Sequence, residues 1–423
     1  MIATALVLGS RFKLTDFSLM WLGAKKISTL SYFFSDSKLS ISEMNSRFAQ
    51  KIQHLYPLSE GGGYFLIDDS MKHHSIFCKL IYGVFWLFDH ALKTNLKAIC
   101  IVVLYYSDGA LIKFPIGFRI FHKESGAKMP WQKSNACEHR TKYQLAIELI
   151  EEALKQGFPK STVLADSWFG IRPFIDELHR LELSFVIEVR SNLKVKLPCK
   201  TPKLTPKGRL SKNQFDSLSF DSFFESTQNT TQVGFAYDFE TGKKSKVLYH
   251  LKVATVTLNA FSGKYRLVQS IAPDKGTIKY LLSNELNWES KKIVRAYSCR
   301  WVIEEFFRNA KQLSNLEGAC LRSEQGVTLA LCLVSWIDFL LHYENYKRCI
   351  ADKLSKEPLT VQSIIRQFQA ENAEAFIEKI KNDETFTEKW ISAMKQGIYR
   401  ERKKRSELVT FDDNIENSEQ KVA

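Results

Sequence analysis

Six residues in this chain of 423 have types and spacings that could do chemistry together: the carboxylates Asp68, Asp166 and Glu304, and the polar row Tyr297, Arg300 and Lys311 around the last of them. Asp68 ends the apolar run 64–68 (YFLID), and Asp166 ends a second such run, 162–166 (TVLAD). Glu304 falls in a stretch with helical periodicity. At about 100° per residue, positions 297, 300, 304 and 311 fall within an arc of roughly 60°. Ile303, Phe306, Ala310 and Leu313 project to the opposite side, where they can bury. By itself such a row is what a solvated helix face shows, with Arg300 and Glu304 pairing at i, i+4. Two further carboxylates at strand ends change its meaning. Hard oxygen donors suit Mg²⁺, which takes one or two carboxylates plus substrate phosphates. Two such ions can activate the attacking oxygen and stabilise the leaving oxygen of an in-line displacement at phosphorus. Arg300 and Lys311 would then face a phosphate backbone, with Tyr297 donating a hydrogen bond. The chemistry expected is metal-dependent cleavage of a phosphodiester.

The elements that must position these residues can be read along the chain. Residues 1–60 read as helical, with Ser40-Ile41-Ser42-Glu43 at capping-box spacing. Pro57 and Gly61-Gly62-Gly63 then punctuate the sequence. Residues 99–106 and 111–121 are strand-like and joined by Ser107-Asp108-Gly109, a hairpin signal. Residues 142–156 are helical and stopped by Gly157 and Pro159, and a helix near 171–181 and a strand at 184–189 follow. The order β-β-β-α-β-α-β requires a mixed sheet with helices packed on it, over 61–190. From 191 the composition shifts. Seven basic residues (Lys194, Lys196, Lys200, Lys203, Lys207, Arg209 and Lys212) precede two alternating runs about the turn Thr241-Gly242-Lys243. Residues 191–283 therefore read as a β-rich insertion with a basic entry. Residues 284–347 return to helix, and 348–423 form a charged helical region and tail that includes YRERKKR at 399–405.

Composition narrows the partners. The excess of 60 basic over 46 acidic residues gives a net charge of +14, which points to a polyanion. The eight cysteines form no CxxC pair and suggest a reducing compartment, the cytoplasm. The apolar start, Met1 to Gly9, lacks a basic flank and is not read as a signal peptide. The run 327–341 (VTLALCLVSWIDFLL) is short for a span and carries Asp338, so it reads as a buried helix and no membrane is expected. His73 and His74 read as loop residues, Lys72 as a second candidate for phosphate, Trp168 as packing beneath the site, and YRERKKR as a further grip on DNA.

The spacing Tyr297-x2-Arg300-x3-Glu304-x6-Lys311 resembles the YREK signature of DDE transposases from bacterial cut-and-paste insertion sequences. Asp68 in YFLIDDS resembles the first catalytic Asp of that family, Asp166 in LADSWFG the second, and Glu304 the third acid. Strand geometry leaves open whether Asp68 or the adjoining Asp69 is the ligand, and the family pattern favours Asp68. The resemblance, spanning about 64–346, implies an RNase H-like core interrupted by a β-rich insertion. It implies that Asp68, Asp166 and Glu304 hold two Mg²⁺ ions, for which Mn²⁺ can substitute, and that Tyr297, Arg300 and Lys311 contact DNA. It further implies that residues 1–60 are a truncated DNA-binding part, with terminal inverted repeats and target DNA as partners, a homodimer on DNA, and a bacterial, nucleoid-associated protein. Alternatives are an inactive copy that only binds DNA, or a nuclease of the same fold without strand transfer. A carboxylate glycosidase fits neither the charge nor the phosphate-facing row.

Overall fold

A computed structural model describes residues 26–35, 38–78, 80–123, 139–199, 201–202, 206–210, 214–225, 230–237, 244–272, 276–312, 321–351 and 359–398. The expectations for Met1 to Gly9, Thr241-Gly242-Lys243, Leu313 and YRERKKR lie outside them, as do Lys200, Lys203 and Lys212.

Two helices, α1 (Ile27–Ser35) and α2 (Ile41–Leu55), open the described chain. The capping signal at Ser40 is realised, its hydroxyl accepting the Glu43 amide at 3.2 Å. The core follows as β1 (Tyr64–His73), β2 (Phe85–Asp89), β3 (Thr94–Ser107), β4 (Lys113–Phe121), α3 (Lys142–Lys155), β5 (Thr162–Ala165), α4 (Arg172–Arg180) and β6 (Phe185–Val189). Helix α3 starts where the Gln144 side chain accepts the Thr141 amide at 2.8 Å and stops before Gly157, whose φ of +90° is left-handed. Next come β7 (Lys194–Pro198), β8 (Phe215–Ser219), α5 (Phe220–Glu225), β9 (Thr230–Tyr237), β10 (Lys244–Leu258), β11 (Tyr265–Ile271) and β12 (Ile278–Ser283). The helices α6 (Ser290–Ser298), α7 (Trp301–Gln312), α8 (Glu324–Ala351), α9 (Val361–Asn382) and α10 (Glu384–Ile398) complete it.

The strands form one mixed 12-stranded sheet in the order β2-β3-β1-β5-β6-β12-β11-β10-β7-β8, with β4 on β3 and β9 on β10. Strands β1, β5 and β6 are parallel, while β3 runs antiparallel beside β1 and β4 antiparallel beside β3. This is the RNase H-like arrangement expected from the sequence. The strands of 191–283 are continuous with the core sheet, because β12 pairs antiparallel with β6.

Alternation buries both faces of the central strands. Phe65, Ile67, Val163, Ala165, Phe185 and Ile187 pack under α3 and α4. Leu66, Leu164 and Val186 face the other way, against Ile293 and Ala296 of α6, Ile303, Phe306 and Ala310 of α7, and Val327 and Leu331 of α8. Of the stripe expected on the Glu304 helix, Ile303, Phe306 and Ala310 are thus buried as read. By length and composition α8 could cross a membrane, yet most of it is buried in the protein. Its Asp338 accepts the Tyr105 hydroxyl at 2.8 Å and lies 3.6 Å from His342, so the buried polar groups have partners.

Two expectations about the elements that carry the acids fail. Asp68 does not close its strand: β1 continues to His73 because β3, 14 residues long, goes on pairing with it. The second is the single helical wheel drawn through positions 297 to 311, which spans two helices with Cys299 and Arg300 in a turn between them. There the Cys299, Arg300, Val302 and Ile303 amides bond three residues back rather than four.

Candidate active site

Parallel pairing brings the first two acids together. In the β1–β5 register Ile67 stands beside Ala165, so Asp68 and Asp166 occupy the next step of neighbouring strands. Strand β5 ends there because the chain turns: the Asp166 carboxylate accepts the Trp168 amide at 3.0 Å, and its carbonyl accepts the Phe169 amide at 3.2 Å. The third acid comes from across the sheet face. Arg300, in the turn between α6 and α7, donates from one nitrogen to Asp68 Oδ2 at 2.9 Å and from another to the Glu304 carboxylate. Glu304 stands in the first turn of α7, where the helix dipole favours a negative charge. One guanidinium therefore gathers the acids of a strand and a helix that lie 236 residues apart in sequence.

Electrostatics follow from burial. Burial, first, lifts the Asp68 carboxyl to about 7; Arg300 opposes the rise, and Asp166 adds to it. Asp166 is also raised, by burial, against the pull of the Trp168 amide and Arg300. Burial works against the charge of Arg300, but Tyr297, Asp68, Glu304 and Asp166 together hold the guanidinium firmly protonated. Its Nε is buried without a hydrogen-bond partner.

Alternation also separates Asp68 from Asp69. Asp68 faces α7, whereas Asp69 faces α3, where Lys142 Nζ binds its Oδ2 at 2.7 Å and the Cys100 thiol lies at 3.5 Å. Lys142 also stands 5.2 Å from the ring centre of Trp168, two residues beyond Asp166. The expectation of Trp168 as support for the site agrees with this contact.

The polar row is divided by the helix break. Tyr297 is buried at the end of α6, and its hydroxyl donates to Glu188 Oε2 at 2.6 Å, an oxygen that also receives Lys279 at 3.0 Å. The Tyr297 ring lies 5.7 Å from the Arg300 guanidinium. Lys311 stands partly exposed in the last turn of α7. Sequence reasoning misses Glu188; one acid within the apolar strand FVIEV is its only signal. His73 ends β1 rather than lying in a loop, and pairs with Asp89 at 2.8 Å. Lys72 is buried.

Among the described residues, no three His, Cys, Asp or Glu side chains are spaced as ligands of one metal ion. The donor types nevertheless fit a hard divalent cation. Asp68 and Asp166 are neighbouring, largely buried carboxylates whose ionisation burial suppresses and the positive charge of Arg300 favours, as that of a cation would.

Residues 20–230 match a family described as DDE superfamily endonuclease, and residues 134–337 match one described as Transposase DDE domain. No curated protein sequence matches the chain. Among solved structures it is similar to a piggyBac transposase synaptic complex with hairpin DNA, determined by cryo-EM. That likeness has 12% identity and a TM-score of 0.44, and covers 92% of this chain and 73% of that one. Between residues 20 and 337 the chain is thus similar to the DDE-superfamily endonuclease and transposase domains.

Proposed function

We propose that this protein is a transposase of the bacterial cut-and-paste type, which cuts DNA at the ends of its own element and joins the freed ends to target DNA. The observation that carries the reading is the convergence of Asp68, Asp166 and Glu304 about Arg300, within a chain that matches DDE transposase domains. Asp68, Asp166 and Glu304 would hold the divalent ions, Mg²⁺ by donor type, which when bound activate an attacking oxygen and stabilise a leaving one. The chain's own residues do the rest. Arg300 keeps Asp68 and Glu304 in one place until that charge is supplied, and is then free to meet a phosphate oxygen. Lys311, one face along α7, would contact the cleaved strand. Tyr297, held by Glu188, would fix the turn that carries Arg300. The net charge of +14 supports DNA as the partner, bound at terminal inverted repeats by a homodimer. The described cysteines are all free thiols, in keeping with action in the cytoplasm.

A second reading, a nuclease that cuts without joining, draws on the endonuclease description of the match over 20–230. Purified protein with DNA carrying the gene and its flanks separates them. Cuts at the flanks in Mg²⁺ but not EDTA, lost in Glu304→Gln and followed by joining, are expected. Cuts without joining favour the nuclease. Full activity in Glu304→Gln would remove that residue from the site.

A further inference from the structure

The sheet extends beyond its carboxylates. Past Asp69, β1 and β3 run on together to His73 and Ala98, and β2 joins β3 where β4 has ended. On β2 the two faces differ. Phe85 and Leu87 are buried against Ala98 and Cys100, on the Asp69 side. Trp86 pairs with Lys97, which shares a face of β3 with Ile99, Ile101 and Val103, and Val103 stands beside Asp68. Trp86 and Phe88 therefore lie on the same face of the sheet as Asp68, and they are 44% and 46% exposed. Phe77, on the connection into β2, is 81% exposed. Lys97 ties that connection to the strand: its Nζ donates to the Cys78 carbonyl at 2.6 Å and lies 5.5 Å from the Trp86 ring centre.

The chain that carries this aromatic face is itself mostly basic, and the nearby Glu324 is engaged by the Tyr82 hydroxyl at 2.9 Å. Residues 74–97 include a single acid, Asp89. It is turned inward, accepting the Ala91 and Leu92 amides at 2.8 and 2.9 Å and pairing with His73 at 2.8 Å. Lys93 and Lys123 are exposed at the rim, and Lys123 donates to the Trp86 carbonyl at 3.2 Å. Clustered exposed aromatic side chains mark a surface that something covers. A second copy, itself at +14, would meet the same positive rim. A polyanion with flat apolar faces suits both features, because every base can stack on an aromatic ring while lysines pair with its phosphates.

We propose that Phe77, Trp86 and Phe88 form a stacking surface for unpaired bases of single-stranded DNA, on the sheet face that carries Asp68. Six residues of β3 separate the levels of Val103 and Lys97. That is about 20 Å, the length of roughly six nucleotides of stacked strand. A strand parted from its duplex at the carboxylates would therefore reach the surface. The inference rests on the DNA reading above and adds a second contact region to it.

The test measures binding of a fluorescein-labelled oligothymidine, and of a duplex of the same length, to the full chain by anisotropy in EDTA. Trp86→Ala and Phe88→Ala should each weaken oligothymidine binding about tenfold, within the range for loss of one stacked base. Duplex binding should stay within about twofold, and Trp86→Phe should keep most of the oligothymidine affinity. Phe77→Ser, at a side chain almost wholly in solvent, should act in the same direction with no change in melting temperature. Unchanged oligothymidine affinity in Trp86→Ala and Phe77→Ser would overturn the proposal. So would variants that only dissociate a wild-type oligomer, which would make the face a contact between copies. A wild-type protein that binds duplex but no oligothymidine sinks this inference alone, whereas one that binds neither sinks the DNA reading as well.

Discussion

Arg300→Met is the most informative single change, because it removes a charge at nearly constant length from the point where two elements meet. The Arg300 side chain is 13% exposed and bonds Asp68, at 16%, and Glu304, at 31%. Removing one partner of a buried ion pair costs about 3–5 kcal/mol, since the remaining charge is left in a poor solvent. Glu304 reaches water, so the lower end applies, and the expected loss is about 3 kcal/mol. Urea unfolding followed by tryptophan fluorescence, in EDTA near neutral pH, measures it. A divalent cation bound by the same acids would replace the lost charge. Mg²⁺ at a hundredfold excess over its dissociation constant should return about 2.7 kcal/mol to the variant. The gain should be smaller in the wild type, where Arg300 competes for Asp68 and Glu304, and it should shrink in Arg300→Met combined with Glu304→Gln. A variant within about 0.5 kcal/mol of wild type in EDTA would refute the view that the guanidinium holds the acids together. Equal Mg²⁺ stabilisation of both proteins would refute the competition.

Lys142→Met should cost about 2 kcal/mol by stranding the part-buried Asp69, and Lys142→Arg should recover part of it; a double-mutant cycle with Asp69→Asn measures the coupling. Buried Asp338 and His342 predict opposing pH effects. Burial raises Asp338 to about 7, against the Tyr105 hydroxyl and Lys113 and with help from Glu305, and burial with Lys113 lowers His342. As pH falls below 7 the folded state gains a proton at Asp338 and the unfolded state one at His342, so the two contributions offset. Asp338→Asn should then lose about 1.4 kcal/mol per pH unit relative to wild type as pH falls from about 6 to 5, and His342→Asn should gain. Denaturant titrations over that range check both signs. Gly63→Ala would drive a methyl into the buried Tyr106 phenol, and a loss of about 1–3 kcal/mol in the same unfolding assay is expected.

The central strands were legible because alternation and turn residues act locally. The runs ending at Asp68 and Asp166, the hairpin at Ser107-Asp108-Gly109 and the stop at Gly157 all state their conformation within a few residues. Strand β2 was not, since four of the five residues of FWLFD are apolar and its exposed face is aromatic, so no alternation shows in the letters. The break at Cys299 and Arg300 was equally hidden. Neither glycine nor proline marks it, and the helical wheel carries straight across. What holds Arg300 there is a carboxylate 232 residues earlier in the chain. For the same reason the wheel placed Tyr297 beside Glu304, whereas the fold gives it to Glu188. The choice between the adjoining acids Asp68 and Asp69 turns on which face of β1 carries α7, and that is a tertiary fact.

The pairing of β6 with β12 governs the order in which the molecule can be assembled during synthesis. Strands β1 to β6 leave the ribosome first, and the outer edge of β6 stays unpaired while β7 to β11 are made. Only β12 covers that edge, and Arg300 and Glu304 follow it almost at once in the chain. A chain interrupted before β12 would expose a strand edge open to aggregation, and would lack both the third acid and the arginine that gathers it. Completion of the sheet and completion of the carboxylate cluster thus coincide, and a fragment that stops short carries two acids of the three.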